Sequence, residues 1–234
     1  MARLRIAETF TSLQGEGQWL GIPSFFIRLS GCSLRCHWCD TPYASWNPEG
    51  PMREIAELAD EAAASGVNHV VITGGEPLLF DGVCELTARL DSQGQIITIE
   101  TAGTHYQSVA CHLLSLSPKL SHSAPPEDTT GDWRRRHEET RLNIQAMSQL
   151  MAEHPHQLKF VANPEGEWDD FAEIVELLSR LPAVSPEKVL LMAEGRDPET
   201  LHRRERLLAP ECIRRGWRLS PRYQIDLFGD TKGT

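Results

Sequence analysis

No run of apolar residues in this chain approaches the roughly 20 that a membrane-spanning helix needs. The N-terminal stretch, Met1 to Phe10, offers no apolar run long enough for a signal peptide either, so the sequence reads as cytoplasmic. Basic residues are in deficit: 23 Lys and Arg stand against 33 Asp and Glu, a formal charge of −10. Such a surface repels phosphate backbones and counts against a nucleic-acid binder. It leaves room for a small charged substrate held by one or two arginines. Internal repeats and low-complexity tracts are missing, as are a side-chain nucleophile and a Ser/His/Asp arrangement. Cysteine is scarce and uneven. Six in a reducing compartment argue against a disulfide framework, and three of them fall within eight positions while Cys84, Cys111 and Cys212 stand alone.

What is present is enough for a core. A chain of 234 residues that is 40% hydrophobic fits one large domain, read as 1–234. Apolar, β-rich runs predict strands at Ser24–Leu29, His69–Thr73, Gln95–Glu100, Leu113–Ser117, Gln157–Val161 and Lys188–Met192, with a short last one near Trp217–Leu219. Helical spacing predicts helices over Pro51–Ser65, Asp81–Gln93, Glu138–Met151, Trp168–Leu181 and Pro198–Arg215. Alternation of strand and helix implies an α/β fold with a parallel sheet. Six or seven units fall short of a closed eight-fold barrel of about 250 residues, which makes an open, incomplete parallel β/α barrel the expected architecture. The polar segment Ser121–Thr140 reads as a mobile loop, its Arg134-Arg135-Arg136 run as a solvated face. Chemistry in such folds gathers at the carboxyl ends of strands. The cysteine cluster, Gly74-Gly75-Glu76-Pro77, Glu100-Thr101 and Ser117-Pro118-Lys119 all fall there.

Cys32, Cys36 and Cys39 have the spacing C-x3-C-x2-C. Thiolates suit iron–sulfur clusters, zinc or copper(I). Structural zinc wants four ligands, commonly as two pairs, and no second pair exists. A thioredoxin-type pair leaves Cys32 unexplained, and haem attachment fails because Asp40 follows Cys39. One buried helical face is the bland alternative. Three thiolates on a four-iron cubane leave one iron for another ligand, such as the amino and carboxylate groups of S-adenosylmethionine (SAM).

With Thr73-Gly74-Gly75-Glu76-Pro77 after the next strand, this spacing resembles the radical SAM superfamily, and the fold it implies is the partial β/α barrel of that type. A narrower likeness spans almost the whole chain. Ser12-Leu-Gln-Gly-Glu-Gly17, Gly21-Ile-Pro23, Phe26-Ile-Arg-Leu-Ser-Gly-Cys32 and Cys39-Asp-Thr-Pro-Tyr43 are similar to the 7-carboxy-7-deazaguanine synthase family. So are Ser117-Pro-Lys119, Leu158-Lys-Phe-Val161 and Ser220-Pro-Arg222, whereas Ala193 and Gln224 depart from the family's Pro and His.

The resemblance implies a lyase that converts 6-carboxy-5,6,7,8-tetrahydropterin to 7-carboxy-7-deazaguanine with loss of ammonia, towards queuosine and related 7-deazapurines. It also implies a [4Fe–4S] cluster, reusable SAM, Mg2+, an electron donor such as flavodoxin or ferredoxin, and a homodimer. By the same likeness Cys32, Cys36 and Cys39 hold the cluster, Trp38, Gly75, Ser117 and Lys119 contact SAM, and Thr41 contacts Mg2+. Leu13, Gln14, Gly15, Arg28 and Thr73 are the implied substrate contacts. Read physically, Arg28 offers a guanidinium fork to a carboxylate, with a surface arginine as its alternative. Leu13–Gly17 offers a pterin edge hydrogen bonds, or is a plain turn that lacks the ending of a phosphate loop. Asp40-Thr41 offers hard oxygen ligands or a capping sequence. Two rivals remain open: another radical SAM enzyme such as a glycyl-radical activase, and a non-catalytic zinc-binding module.

Overall fold

The computed structural model describes residues 2–234. Nine strands form one sheet: β1 (Arg3–Leu13), β2 (Pro23–Leu29), β3 (Met52–Glu54), β4 (His69–Gly74), β5 (Ile96–Thr101), β6 (Leu113–Leu116), β7 (His156–Ala162), β8 (Val189–Ala193) and β9 (Arg218–Leu219). The helices are α1 (Ile55–Ala64), α2 (Gly82–Ser92), α3 (Trp133–Thr140), α4 (Ile144–Glu153), α5 (Asp170–Arg180), α6 (Pro198–Arg215) and α7 (Tyr223–Phe228).

Strand order is β3-β1-β2-β4-β5-β6-β7-β8-β9, with every pair from β2 to β9 parallel and β1 antiparallel to both its neighbours. The first and last strands of that order do not pair with each other among the described residues, so the sheet is an open, partial β/α barrel. The parallel strands are near-continuous apolar runs because both faces are covered: five of six residues in β4 and all five in β8 are buried. One core fills the space between sheet and helices, from Leu4 and Ile27 through Ile72, Ile99 and Phe160 to Leu191 and Leu208.

Three expectations are corrected. Pro51–Ser65 is not all helix: Met52–Glu54 pairs with β1, and the helix starts at Ile55. Glu138–Met151 is two helices, because Asn143 accepts a hydrogen bond from the Ala146 amide at 3.1 Å and so begins a new one. The first strand, β1, went unseen because only Leu4 and Ile6 of its eleven residues are buried, too few for a continuous apolar run. The cysteines therefore follow the second strand. No described helix is long and apolar enough to cross a membrane.

Candidate active site

After Leu29 the chain leaves the sheet. Gly31 takes φ 127°, a region that L side chains avoid, and so turns the following loop back across the strand ends. Its amide donates to Ala44 O at 2.8 Å and its carbonyl accepts from Glu76 N at 2.9 Å. Cys32, Cys36 and Cys39 thereby face one cavity together with Trp38. Burial pushes the Cys32 and Cys36 thiols up to about 12. The apo-pocket therefore disfavours thiolates, and a cationic iron centre would have to displace their protons. Cys39 Sγ lies 3.1 Å from Ser45 Oγ, and Leu34 N donates to Cys32 Sγ at 3.3 Å. Among the described residues no three His, Cys, Asp or Glu side chains converge on one ion position. The donor set fits a cubane held by three sulfurs with one iron open, and lacks what tetrahedral zinc needs.

Arg35 fastens the loop. Its Nη1 donates to Cys32 O at 2.9 Å and to Leu34 O at 2.8 Å, while its guanidinium lies 3.8 Å above the Trp133 ring. The Arg35 amide donates to His137 Nδ1 at 3.2 Å, which assigns the ring proton to Nε2, 2.9 Å from Ser123 Oγ. Burial, with Arg141 and Lys119 nearby, lowers His137 to about 4 and keeps it neutral. Ser121–Thr140 is thus not all loop. Its α3 backs the cysteines, and of the arginine run Arg135 and Arg136 are exposed while Arg134 reaches Pro125 O at 2.7 Å.

On the next strand end, glycine is obligatory twice over. A Cβ on Gly74, at φ 133°, would sit 2.1 Å from Leu29 O, and one on Gly75 would sit 2.1 Å from Gly31 O. Glu76 turns inward, accepting from Thr101 Oγ1 at 2.6 Å, Ala102 N at 2.9 Å and Leu78 N at 3.0 Å. Its burial raises its pKa, and the bonds to Thr101, Leu78 and Ala102 oppose the rise. Gly75 faces the cavity, as do Ser117 and Lys119, whose Nζ folds back on Ser117 O at 2.8 Å and Oγ at 2.9 Å.

Sheet register sets the other half of the site. Glu8 of β1 lies opposite Arg28 of β2, and Arg28 opposite Thr73 of β4. Glu8 Oε1 accepts from Arg28 Nε and from Tyr43 Oη, both at 2.7 Å, and the two Arg28 Nη atoms make no hydrogen bond among the described residues. Thr73 Oγ1 donates to Glu100 Oε2 at 2.9 Å, and Gln14 Nε2 to Glu100 Oε1 at 3.2 Å. Gly15 accepts from the Tyr223 amide at 3.0 Å. Beside it Glu16 meets Lys159, Gln224 Nε2 at 2.8 Å and Arg222 Nε at 3.3 Å. Burial pushes Glu16 upward, yet Lys159 and Arg222 more than offset it and hold the carboxyl at about 2. Arg222 also bonds Asp40 and donates to Gly195 O at 2.6 Å, tying the β1–β2 turn to the cysteine loop. All thirteen residues expected at the site, from Leu13 to Lys119 and including Thr41, line this one cavity of about 380 Å³, within the size range of small-molecule sites.

Comparison with known proteins decides the family. A model of the radical SAM superfamily matches residues 26–124. The 7-carboxy-7-deazaguanine synthase of Rhodopirellula baltica is 45% identical over 232 residues, covering 99% of this chain and 89% of its own length. This chain belongs to the 7-carboxy-7-deazaguanine synthase family. The Halobacterium salinarum synthase is 36% identical over 241 residues, covering 99% of this chain and 93% of its own length. The crystal structure of QueE from Escherichia coli matches with a TM-score of 0.69 and 29% identity, across 94% of this chain and 93% of that one. Membership brings a [4Fe–4S] cluster and SAM with it, together with a small-molecule substrate and a reductant.

Several residues in the cavity, and Glu8 beside it, carry no site role in the sequence analysis. Glu100 carried a signal, since it ends a parallel strand. Lys159 and Arg222 sat in motifs with no role attached. Tyr43 likewise ended a motif with no role attached, and Glu8 carried no signal: the two meet Arg28 only through the pairing of β1 with β2 and the return of the cysteine loop.

Proposed function

We propose that this chain converts 6-carboxy-5,6,7,8-tetrahydropterin to 7-carboxy-7-deazaguanine with release of ammonia, a step towards queuosine and related 7-deazapurines. The observation that carries the reading is the row Glu8–Arg28–Thr73–Glu100, which places a cationic fork and an anionic carboxylate across one cavity from three thiols. Cys32, Cys36 and Cys39 would hold the cluster, with Trp38, Gly75, Ser117 and Lys119 around SAM. When bound and reduced, the cluster supplies the electron that cleaves SAM to a hydrogen-abstracting radical.

The chain's own residues bind and orient. Arg28, fixed through Nε by Glu8, offers its two free Nη atoms to the substrate carboxylate as a bidentate fork. Glu100, aligned by Gln14 and Thr73, suits the donor edge of a pterin ring, and Leu13 and Gly15 allow the ring to lie against the backbone. The Lys159–Glu16–Arg222–Asp40 chain of alternating charge pairs these ions with one another along the cavity wall. Thr41, next to Asp40, would take Mg2+, which keeps most of its waters and touches few protein oxygens. Flavodoxin or ferredoxin is the reading for the reductant and a homodimer for the assembly, both supported by the family likeness. One continuous sheet and one main core across the described residues support the reading of 1–234 as a single domain. Anaerobic incubation of reduced protein with SAM and the carboxypterin, followed by mass spectrometry, tests the proposal. Formation of 7-carboxy-7-deazaguanine is expected. Cleavage of SAM without that product would instead favour a different radical SAM enzyme.

A further inference from the structure

His122 has no part in the chemistry above, yet it is buried under the cysteine loop. It sits in a short turn, Ser121–Ser123, whose neighbours fix it from several sides. Ser121 donates from its amide at 2.8 Å and its hydroxyl at 2.9 Å to Glu173, which Arg141 holds at 2.7 Å. His122 Nδ1 lies 2.8 Å from Asp170 Oδ1, so this nitrogen carries the proton. Asp170 itself is fixed through Oδ2 by the Asn163 amide at 2.7 Å. On the opposite side His122 Nε2 faces Glu194 Oε2 at 3.5 Å, too far for a hydrogen bond.

Trp38, between Cys36 and Cys39, rests on this imidazole. The ring centroids are 5.9 Å apart with a tilt of 32°, and the amide of His37 donates to Ser123 O at 3.1 Å beside them. Lys119 Nζ lies 5.8 Å from the indole centroid. Trp38 Nε1, His122 Nε2 and Glu194 Oε2 are all buried without a hydrogen-bond partner. Such orphans cost folding free energy; an apolar ring at position 122 would remove one of them but would strip Asp170 Oδ1 of its partner. The imidazole keeps that bond and so holds a ring at a fixed angle from a buried carboxylate.

We propose that His122, oriented by Asp170 and faced by Glu194, is the positioning residue for Trp38 and through it for SAM. This rests on the reading of Trp38 as a SAM contact, and the controls separate the two. H122N keeps an N–H for Asp170 but removes the ring beneath Trp38; H122F keeps a ring but frees it from Asp170. Both are compared with W38L in anaerobically reconstituted protein, by iron per chain, thermal midpoint and SAM titration of the EPR spectrum of the reduced cluster. H122N is expected to retain parental iron content and to bind SAM about tenfold more weakly, leaving the KM for the pterin within about twofold, since pocket contacts of this size are worth a factor of 10 or more. H122F is expected to fall between H122N and the parent, and W38L to lose at least as much SAM affinity as H122N. Parental SAM affinity in H122N with weakened binding in W38L would overturn the role of His122 and leave the reading of Trp38 standing. Parental affinity in W38L as well would remove both. Loss of iron from H122N would also overturn the proposal, because it would make His122 a support of the loop fold alone. Should H122N not fold, H122F decides by the same measurements.

Discussion

Among the described residues Arg222 is the one side chain that hydrogen-bonds both the β1–β2 turn and the cysteine loop, and R222M tests whether that junction is energetic or incidental. Its side chain is 9% exposed and meets Glu16, 14% exposed, and Asp40, 41% exposed. Glu16 is held at about 2 rather than 4.5, although burial alone would raise it; Lys159 and Arg222 supply the difference. A shift of that size corresponds to roughly 3 kcal/mol between the two protonation states. Breaking a buried pair by removing one partner costs about 3–5 kcal/mol. Lys159 still faces Glu16 in the variant, and water screens the half-exposed Asp40, so a loss of about 3 kcal/mol is expected. Urea unfolding of the apo-protein at neutral pH measures it. The sign of the pH dependence provides a second reading. Because the folded carboxyl titrates below the unfolded one, its contribution is complete above about 4.5 and disappears as pH falls towards 2. In R222M that acid limb should be shallower. R222K, which keeps the charge but not the fork, should recover part of the loss. A change in R222M of less than about 1 kcal/mol, near the error of extrapolation, would refute the reasoning.

Four further outcomes are expected. C36A should lose iron on anaerobic reconstitution and with it SAM cleavage, read from absorbance and product analysis. R28A should retain SAM binding but weaken the carboxypterin by about 2–5 kcal/mol, seen as a raised KM or Kd, and should free Glu8 to pair with Tyr43 alone. G75A should cost about 1–3 kcal/mol in urea unfolding, because its Cβ would meet two backbone oxygens, Gly31 O at 2.1 Å and Ala44 O at 2.8 Å, neither on a movable side chain. His69 and His137, both lowered to about 4 chiefly by burial, take up protons on unfolding. Their contribution is whole above about 6.5 and declines as pH falls towards 4. At pH 5 each should remove roughly 1–2 kcal/mol, measurable as a lower urea midpoint that the double variant H69Q/H137Q no longer shows.

The parallel strands were legible as apolar runs because both faces of such a sheet are covered, and their observed bounds lie within a residue of those expected. The cysteine triplet and the glycine pair were equally legible, since each needs residue types that few other structures demand at that spacing. Two elements misled. Ser121–Thr140 looks solvated by composition, yet Trp133 and His137 turn it into the floor of the cysteine loop. Polar β1 looks like coil, yet antiparallel pairing sets its Glu8 against Arg28 and brings Leu13 to the cavity.

Local sequence, then, determined the ligand chemistry: three sulfurs, two close-approach glycines and an arginine at a strand end are properties of residue type and spacing. Only the tertiary structure decided which charges face one another. Glu8 and Arg28 are 20 positions apart, Asp40 and Arg222 182 apart, and Glu16 and Arg222 206 apart. Such pairs leave no periodic trace in the chain, because strand register and loop return, not neighbouring residues, bring them within hydrogen-bond reach.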